Sequence, residues 1–336
     1  MSGPINPQHQ IPAPASPHRR AEPGAPIVGV IYNPRSHRNK GRDLVIATQP
    51  NVHVALPHGR EGIVEALQGF AATGIELLVI NGGDGTVRDV LTAGEAVFGD
   101  RWPALAVLPK GKTNALNVDL GAPAGWNLAD AIAAFPANRR VRRRPIRIVP
   151  LDGGAGPMLG FILGGGAFAT GIRAGQDAHR MGAFNSLAVG VTAAWGVVQA
   201  LLGTDRNVWR RGARMELLLG PERARLPHAG HGYDGRRAVM LASTLERFPL
   251  GLRIFGPHER GLKLGAMDRP RRRLLAALPA IIAGWHPDWL EGAGLHFRAP
   301  ESFEFTIDEP FILDGEAFAP GRYRAEQGPE LAFVVP

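Results

Sequence analysis

The residues most able to do chemistry form one short run, Asn81-Gly82-Gly83-Asp84-Gly85-Thr86. It follows the apolar run Leu77-Leu78-Val79-Ile80 and precedes a segment of helical spacing from Val87 to Val97. Glycines between a strand and a helix let backbone N–H groups approach a phosphate, because no Cβ intervenes and positive φ is allowed. The helix start adds partial positive charge. Thr86 can cap that helix or bond a phosphate oxygen. Asp84 is the informative residue, because a carboxylate in a phosphate cradle is repulsive unless it holds a cation or takes up a proton. Its readings are therefore Mg²⁺ ligand, directly or through water, or acid–base group. The plain alternative is a tight Gly-Asp-Gly turn.

Two further elements could join it. Pro109-Lys110-Gly111-Lys112-Thr113-Asn114 follows the apolar run Leu105 to Leu108. Its Gly-Lys-Thr invites comparison with the phosphate loop G-x-x-x-x-G-K-[ST]. That pattern fails, since Ala106 stands where the first glycine should be. Backbone N–H groups and lysines could still cradle phosphate there. Asp314-Gly315-Glu316 follows Phe311-Ile312-Leu313, and two carboxylates about a glycine could supply a base or a metal ligand. Asp-Gly is also a common hairpin turn. The 11 histidines show no zinc spacing, and without cysteine there is no disulfide or thiolate site.

The elements that must position these residues alternate along the first half of the chain. Ile27 to Tyr32, Val52 to Leu56, Leu77 to Ile80 and Leu105 to Leu108 read as strands. Arg42 to Thr48, Gly62 to Ala72 and Val87 to Val97 read as helices. Such alternation predicts a parallel α/β sheet, with ligands beyond the carboxyl ends of the strands. The loops after Tyr32, Ile80 and Leu108 then share one edge.

After the run Arg139 to Arg144 the pattern changes to strands. They are expected at Ile146 to Leu151, Met158 to Leu163, Met215 to Leu219, Ala238 to Ser243, Leu252 to Phe255, Phe303 to Ile307, Phe311 to Leu313 and Leu331 to Val335. The fold class expected is α/β: an N-terminal parallel-sheet nucleotide-binding domain (27–144, joined by 320–336) plus a mainly antiparallel, β-sandwich-like second domain (145–319). Residues 1–26, rich in proline with no apolar run, read as a disordered tail. Ser186 to Gly203 is uncharged and reads as a buried helix or a short membrane span. The arginine run reads as a solvated strand edge or linker, or as a basic patch. The net charge of +8 favours anionic partners such as nucleotides or an acidic membrane surface.

These elements, in this order, resemble the diacylglycerol kinase catalytic-domain family, which includes bacterial lipid kinases and sphingosine kinases and is related to NAD kinases. The matching motifs are Asn33-Pro34, Gly82 to Thr86, Pro109 to Asn114 and Asp314 to Glu316. The resemblance implies ATP and Mg²⁺, transfer of the γ-phosphoryl to a lipid hydroxyl, and a site between the two domains. It implies nucleotide binding by Asn33, Gly82, Gly83, Asp84, Gly85, Thr86, Lys112, Thr113 and Asn114, with Asp84 as the metal-linked carboxylate. Glu316 matches the general base of bacterial members, and Asp84 is the competing base. Implied partners are a lipid at a membrane surface and no nucleic acid, in a cytoplasmic protein that visits the inner membrane face. The alternatives are an NAD-kinase-type enzyme and a diverged, non-catalytic member. Arg88 stands where members often carry Asn, and Lys112 where Thr or Ser is usual. Some bacterial members hold a structural Mg²⁺ in an Asp-Gly-Leu loop. The nearest match is Glu259-Arg260-Gly261-Leu262, with Arg260 in place of Asp.

Overall fold

The computed structural model describes residues 25–36, 38–39, 49–169, 212–229, 235–248 and 251–336. The helix expected over 42–48, the stretch 186–203 and nearly all of the proline-rich segment lie outside the described residues.

The first half builds β1 (Val28–Tyr32), β2 (Val52–Ala55), α1 (Gly59–Thr73), β3 (Leu77–Gly82), α2 (Asp84–Phe98), β4 (Ala104–Pro109) and α3 (Ala115–Leu120). The strands are short, almost wholly apolar runs, as a sheet covered on both faces demands. Their order is β2-β1-β3-β4, all parallel. The register sets Tyr32 beside Asn81 and Asn81 beside Leu108, so the three following loops leave the sheet at one level. The chain steps from β1 outward to β2, then back across to β3. That reversal leaves a crevice between the loops after β1 and β3.

Helices α1 and α2 cover one face. Ile63, Leu67 and Phe70 bury one side of α1, and Gly74 ends it in the left-handed region at φ 73°. Val87, Val90, Leu91 and Phe98 bury one side of α2. Each fully buried Leu contributes about 1.5–3 kcal/mol. Helix α2 begins three residues earlier than its apolar spacing indicates. Extended Gly83 (φ −91°) is its N-cap, so Asp84, Gly85 and Thr86 form its first turn.

The later residues form two antiparallel sheets that share one core. One sheet runs 224–225, 213–219, 302–307, 321–327, 146–150 and 158–160. The other runs 295–298, 263–267, 239–243, 162–166, 311–313 and 316–318. Leu217, Phe303 and Phe305 from the first meet Met240, Leu264 and Phe311 from the second. The fold is therefore α/β with a sandwich-like antiparallel part. Leu331–Val334 returns to the first sheet, parallel to β4. Gly321–Gln327 pairs within the antiparallel part.

Two local expectations differ. Met158 to Leu163 is two strands broken at Phe161, because the N–H groups of Phe161 and Ile162 donate to the Asp314 carboxylate instead of a ladder. Leu252 to Phe255 is coil and turn between Gly251 (φ 68°) and Gly256 (φ 64°), and its apolar character serves the packing of Phe255 on Phe248. The arginine run is the strand edge that was one reading of it: Arg140–Arg143 runs antiparallel to Leu331–Val334. Its charges are used locally: Arg142 and Arg144 pair with Glu330, and Arg140 lies over Phe135 at 4.7 Å.

Two contacts fix the junction between the parallel and antiparallel parts. The Thr92 hydroxyl accepts from Leu159 N–H at 3.0 Å, and Arg147 pairs with Glu95 at 2.7 Å. Buried Asp119 accepts from the N–H groups of Glu246 and Arg247, both at 2.7 Å, and from Arg143 Nε at 2.6 Å. Asp119→Ala strands two backbone donors and a guanidinium. Unfolding in urea at pH 7 should show a loss of about 3–5 kcal/mol, with Asp119→Asn closer to the parent.

Candidate functional site

A cleft of about 630 Å³ opens where the three loops meet the turn Asp314-Gly315. Its walls are Asn33, Arg35 and Ser36 after β1, Gly83 to Asp89 without Asp84 and Val87 at the start of α2, Gly111 and Lys112 after β4, and Asp314 to Ala317. The N-terminus of α2 therefore faces the cleft, a favourable end for an anion.

Glycine is required where the two phosphate-type loops touch. A Cβ on Gly83 would come within 2.9 Å of Gly111 Cα, and one on Gly111 within 2.8 Å of Gly83 Cα. The second loop is closed by Asn114, whose left-handed backbone (φ 51°) lets its Oδ1 accept from Gly111 N–H at 2.7 Å. Across the crevice, Asn33 Nδ2 donates to Thr86 Oγ1 at 2.8 Å and ties the first loop to α2.

The acidic residues split into different environments. Asp84 Oδ1 accepts from Ala115 N–H at 3.0 Å, so this side chain also stabilises the start of α3. Burial raises its pKa above the ordinary carboxylate value, against the hydrogen bonds it accepts. Asp314 and Gly315 (φ 45° and 85°) are the two-residue turn of a hairpin that pairs Leu313 with Glu316. The Asp314 carboxylate accepts from Phe161 N–H and Ile162 N–H, both at 2.9 Å. Its pKa is pushed up to about 7 by burial first and then by the charge of nearby Asp84.

Glu316 stands at the exposed rim, held by Arg88. The Arg88 guanidinium is buried at the base of α2. It pairs with Glu316, pairs with Asp89 at 2.8 Å and donates to Leu313 O at 3.3 Å. Arg60 approaches the other Glu316 oxygen at 3.7 Å.

Of the residues singled out in the sequence, Asn33, Gly83, Gly85, Thr86, Lys112 and Glu316 line one cleft. Gly82 lies beneath it, where a Cβ would meet Thr86 at 2.4 Å. Asp84, Thr113 and Asn114 stand outside the lining: Asp84 is turned to Ala115 N–H, and Asn114 spends its side chain closing its own loop. The sequence reading missed Arg35, Ser36 and Asp89, which belong to no glycine motif. Asp314, noticed in the sequence as a candidate base or metal ligand beside Glu316, is in the cleft wall.

The loop compared with a structural metal site has its own cation. Lys263 Nζ donates to the carbonyls of Glu259 and Gly261, each at 3.3 Å, and burial lowers its pKa to about 8. Those carbonyls are committed to an ammonium, so the loop does not fit a divalent ion. Among the described residues, no group of three or more His, Cys, Asp or Glu could hold a metal.

Residues 28–149 match the family model of the diacylglycerol kinase catalytic domain. No curated protein matches the chain in sequence. Three solved structures from Bacillus anthracis strain Sterne share its fold. A diacylglycerol kinase is 14% identical with a TM-score of 0.59, covering 94% of this chain and 98% of its own. Two candidate diacylglycerol kinases are 14% and 15% identical, with TM-scores of 0.62 and 0.61, covering 94% of this chain and 99% of their own. The family resemblance read from the motifs is borne out over residues 28–149, and at these identities the structural likeness is one of fold.

The Asp314 environment gives a pH signature. Between its ordinary value of 3.8 and about 7, the folded protein keeps a proton that the unfolded chain has lost. Stability from this group therefore falls as pH rises through that window. Asp314→Asn removes the dependence. Its melting temperature relative to the parent should rise from pH 5 to pH 8, and a constant offset would refute the assignment.

Proposed function

We propose that this chain, with a diacylglycerol kinase-type catalytic domain over residues 28–149, transfers the γ-phosphoryl group of ATP to a lipid hydroxyl. One observation carries the reading: the N-terminus of α2 and a carboxylate fixed by a buried arginine face each other across one cleft. Phosphoryl transfer needs positioning and charge neutralisation more than covalent chemistry. The backbone of Gly83, Gly85 and Thr86 binds phosphate oxygens, assisted by Lys112. Asn33 keeps the two sides of the crevice in register through Thr86.

The donor set fits Mg²⁺. Asp84 and Asp314 lie close enough for the charge of one to raise the pKa of the other. Magnesium is commonly bound by one or two carboxylates together with substrate phosphates and water. Asp84 and Asp314 would hold the ion, which when bound neutralises phosphate charge.

Glu316 is half-exposed at the rim and open to an acceptor from outside. Its carboxylate takes the proton of the acceptor hydroxyl as that oxygen bonds to the γ-phosphorus. The bond from phosphorus to the leaving ADP oxygen breaks in the same displacement. Arg88 orients Glu316 by holding its other side.

The test is transfer of label from γ-labelled ATP to an extracted lipid. Glu316→Gln should lower kcat about 10²- to 10⁴-fold, the usual contribution of a general base, with little change in the KM for ATP. Asp84→Asn should weaken nucleotide-dependent turnover most at low Mg²⁺. Full activity in both variants, with melting temperatures near the parent, would sink these roles. A panel of diacylglycerol, sphingoid bases, ceramide and polyprenols identifies the acceptor.

A further inference from the structure

The helix Arg272–Ile282 breaks two rules that govern a helix on a soluble surface. A solvated helix carries polar residues on its outer face. Here Ala276, Pro279, Ala280, Ile282 and Ala283 are exposed, and Trp285 just beyond is 50% exposed. From Leu274 to Pro287 the chain contains no Asp, Glu, Lys or Arg. The second rule concerns the helix dipole, which favours anions at the N-terminus. This helix starts with Arg271, Arg272 and Arg273, all exposed, and has no acidic residue in its first turn. Neither feature stabilises the helix.

Each feature is explained by one occupant. Exposed apolar surface edged by cations matches an anionic bilayer, whose headgroups attract arginine while its acyl boundary accepts apolar and aromatic groups. Tryptophan prefers that boundary because its ring is apolar and its N–H remains wet. Trp285 meets Trp289 edge-on at 6.0 Å, and Arg273 lies over the Trp289 ring at 4.6 Å, so the aromatic and cationic parts form one patch. Ile282 and Trp285 are two of the four large hydrophobic residues exposed among the described residues. The carbonyl of Ile282 accepts from Arg253 N–H at 2.8 Å, which brings a further exposed arginine to the end of the patch. The counter-charges stand at the ends of the patch: Asp288 beyond the helix, and Glu259, 3.8 Å from Arg253. At 11 residues the helix is too short to cross a bilayer.

We infer that Arg271 to Trp285 is a docking surface for anionic phospholipid membranes, with the apolar side of the helix in the interface. This goes beyond the kinase reading and does not depend on it.

The experiment is sedimentation of the full chain with vesicles, without nucleotide, at 0.1 M salt. Vesicles of phosphatidylcholine alone are compared with vesicles holding one-third phosphatidylglycerol. The parent should bind the anionic vesicles and lose them at high salt. Arg271→Gln/Arg272→Gln should weaken binding about 30-fold, at about 1 kcal/mol per arginine near an anionic surface. Trp285→Ser should weaken it at both salt concentrations. All three positions are exposed, and unchanged melting temperatures confirm folding. Equal binding by parent and variants overturns the inference. So does a dimer that these substitutions dissociate while vesicle binding persists, since the patch would then belong to a second copy. Because nucleotide is absent, a failed kinase assay and a failed docking assay are distinguishable.

Discussion

A buried guanidinium must be given partners, because Arg cannot shed its charge and an unpaired buried ion is costly. Arg88 meets that demand across the whole length of the chain. It sits in the first turns of α2, and its partners are Asp89 beside it and Glu316 and Leu313 O more than two hundred residues later. The planar fork of Arg reaches several acceptors at once, which the compact ammonium of Lys does not. The helix whose N-terminus faces the cleft and the proposed base are thereby set in one frame. In the sequence Arg88 reads as a departure from the family pattern. In the fold it is the tie on which the geometry of the cleft depends.

Around that tie, backbone carries most of the site. Gly83 and Gly111 approach each other more closely than any Cβ allows, so two loops from different strands form one surface. Asp314 occupies a left-handed turn position and replaces ladder acceptors for Phe161 and Ile162. The same carboxylate that anchors the hairpin thus lines the cleft near buried Asp84, and its pKa is raised by burial first and by the charge of Asp84 second. Asp-Gly here is both a hairpin turn and a site element. The two readings of that motif in the sequence are not in competition.

The positive charge of the chain has two different uses. Arg142, Arg143, Arg144 and Arg147 are consumed by Glu330, Asp119, Glu95 and Glu326, where they hold the edge strand and the junction between the two parts. Arg271 to Arg273 stand exposed at the unfavourable end of a helix. A net charge of +8 cannot separate these cases. Only the environment of each arginine does.

What the sequence determined by itself is local. Short apolar runs, helical spacing and glycines at strand ends gave four parallel strands, two covering helices and the identity of the phosphate-type loops, because each depends on residues within a turn or a strand of one another. Helix α2 began earlier than its spacing indicated because Gly83, not an apolar residue, sets its start. The tertiary structure decided the rest. It broke the 158–163 run at Phe161, chose strand edge over linker for the arginine run, and left Asp84, Thr113 and Asn114 out of the cleft lining while bringing in Arg35, Ser36 and Asp89. It also put an ammonium from Lys263 where a metal loop had been considered. The Lys263 and Asn114 contacts are local; the other outcomes rest on pairings between residues far apart in the chain, and a carboxylate or a guanidinium in sequence carries no mark of which distant partner will reach it.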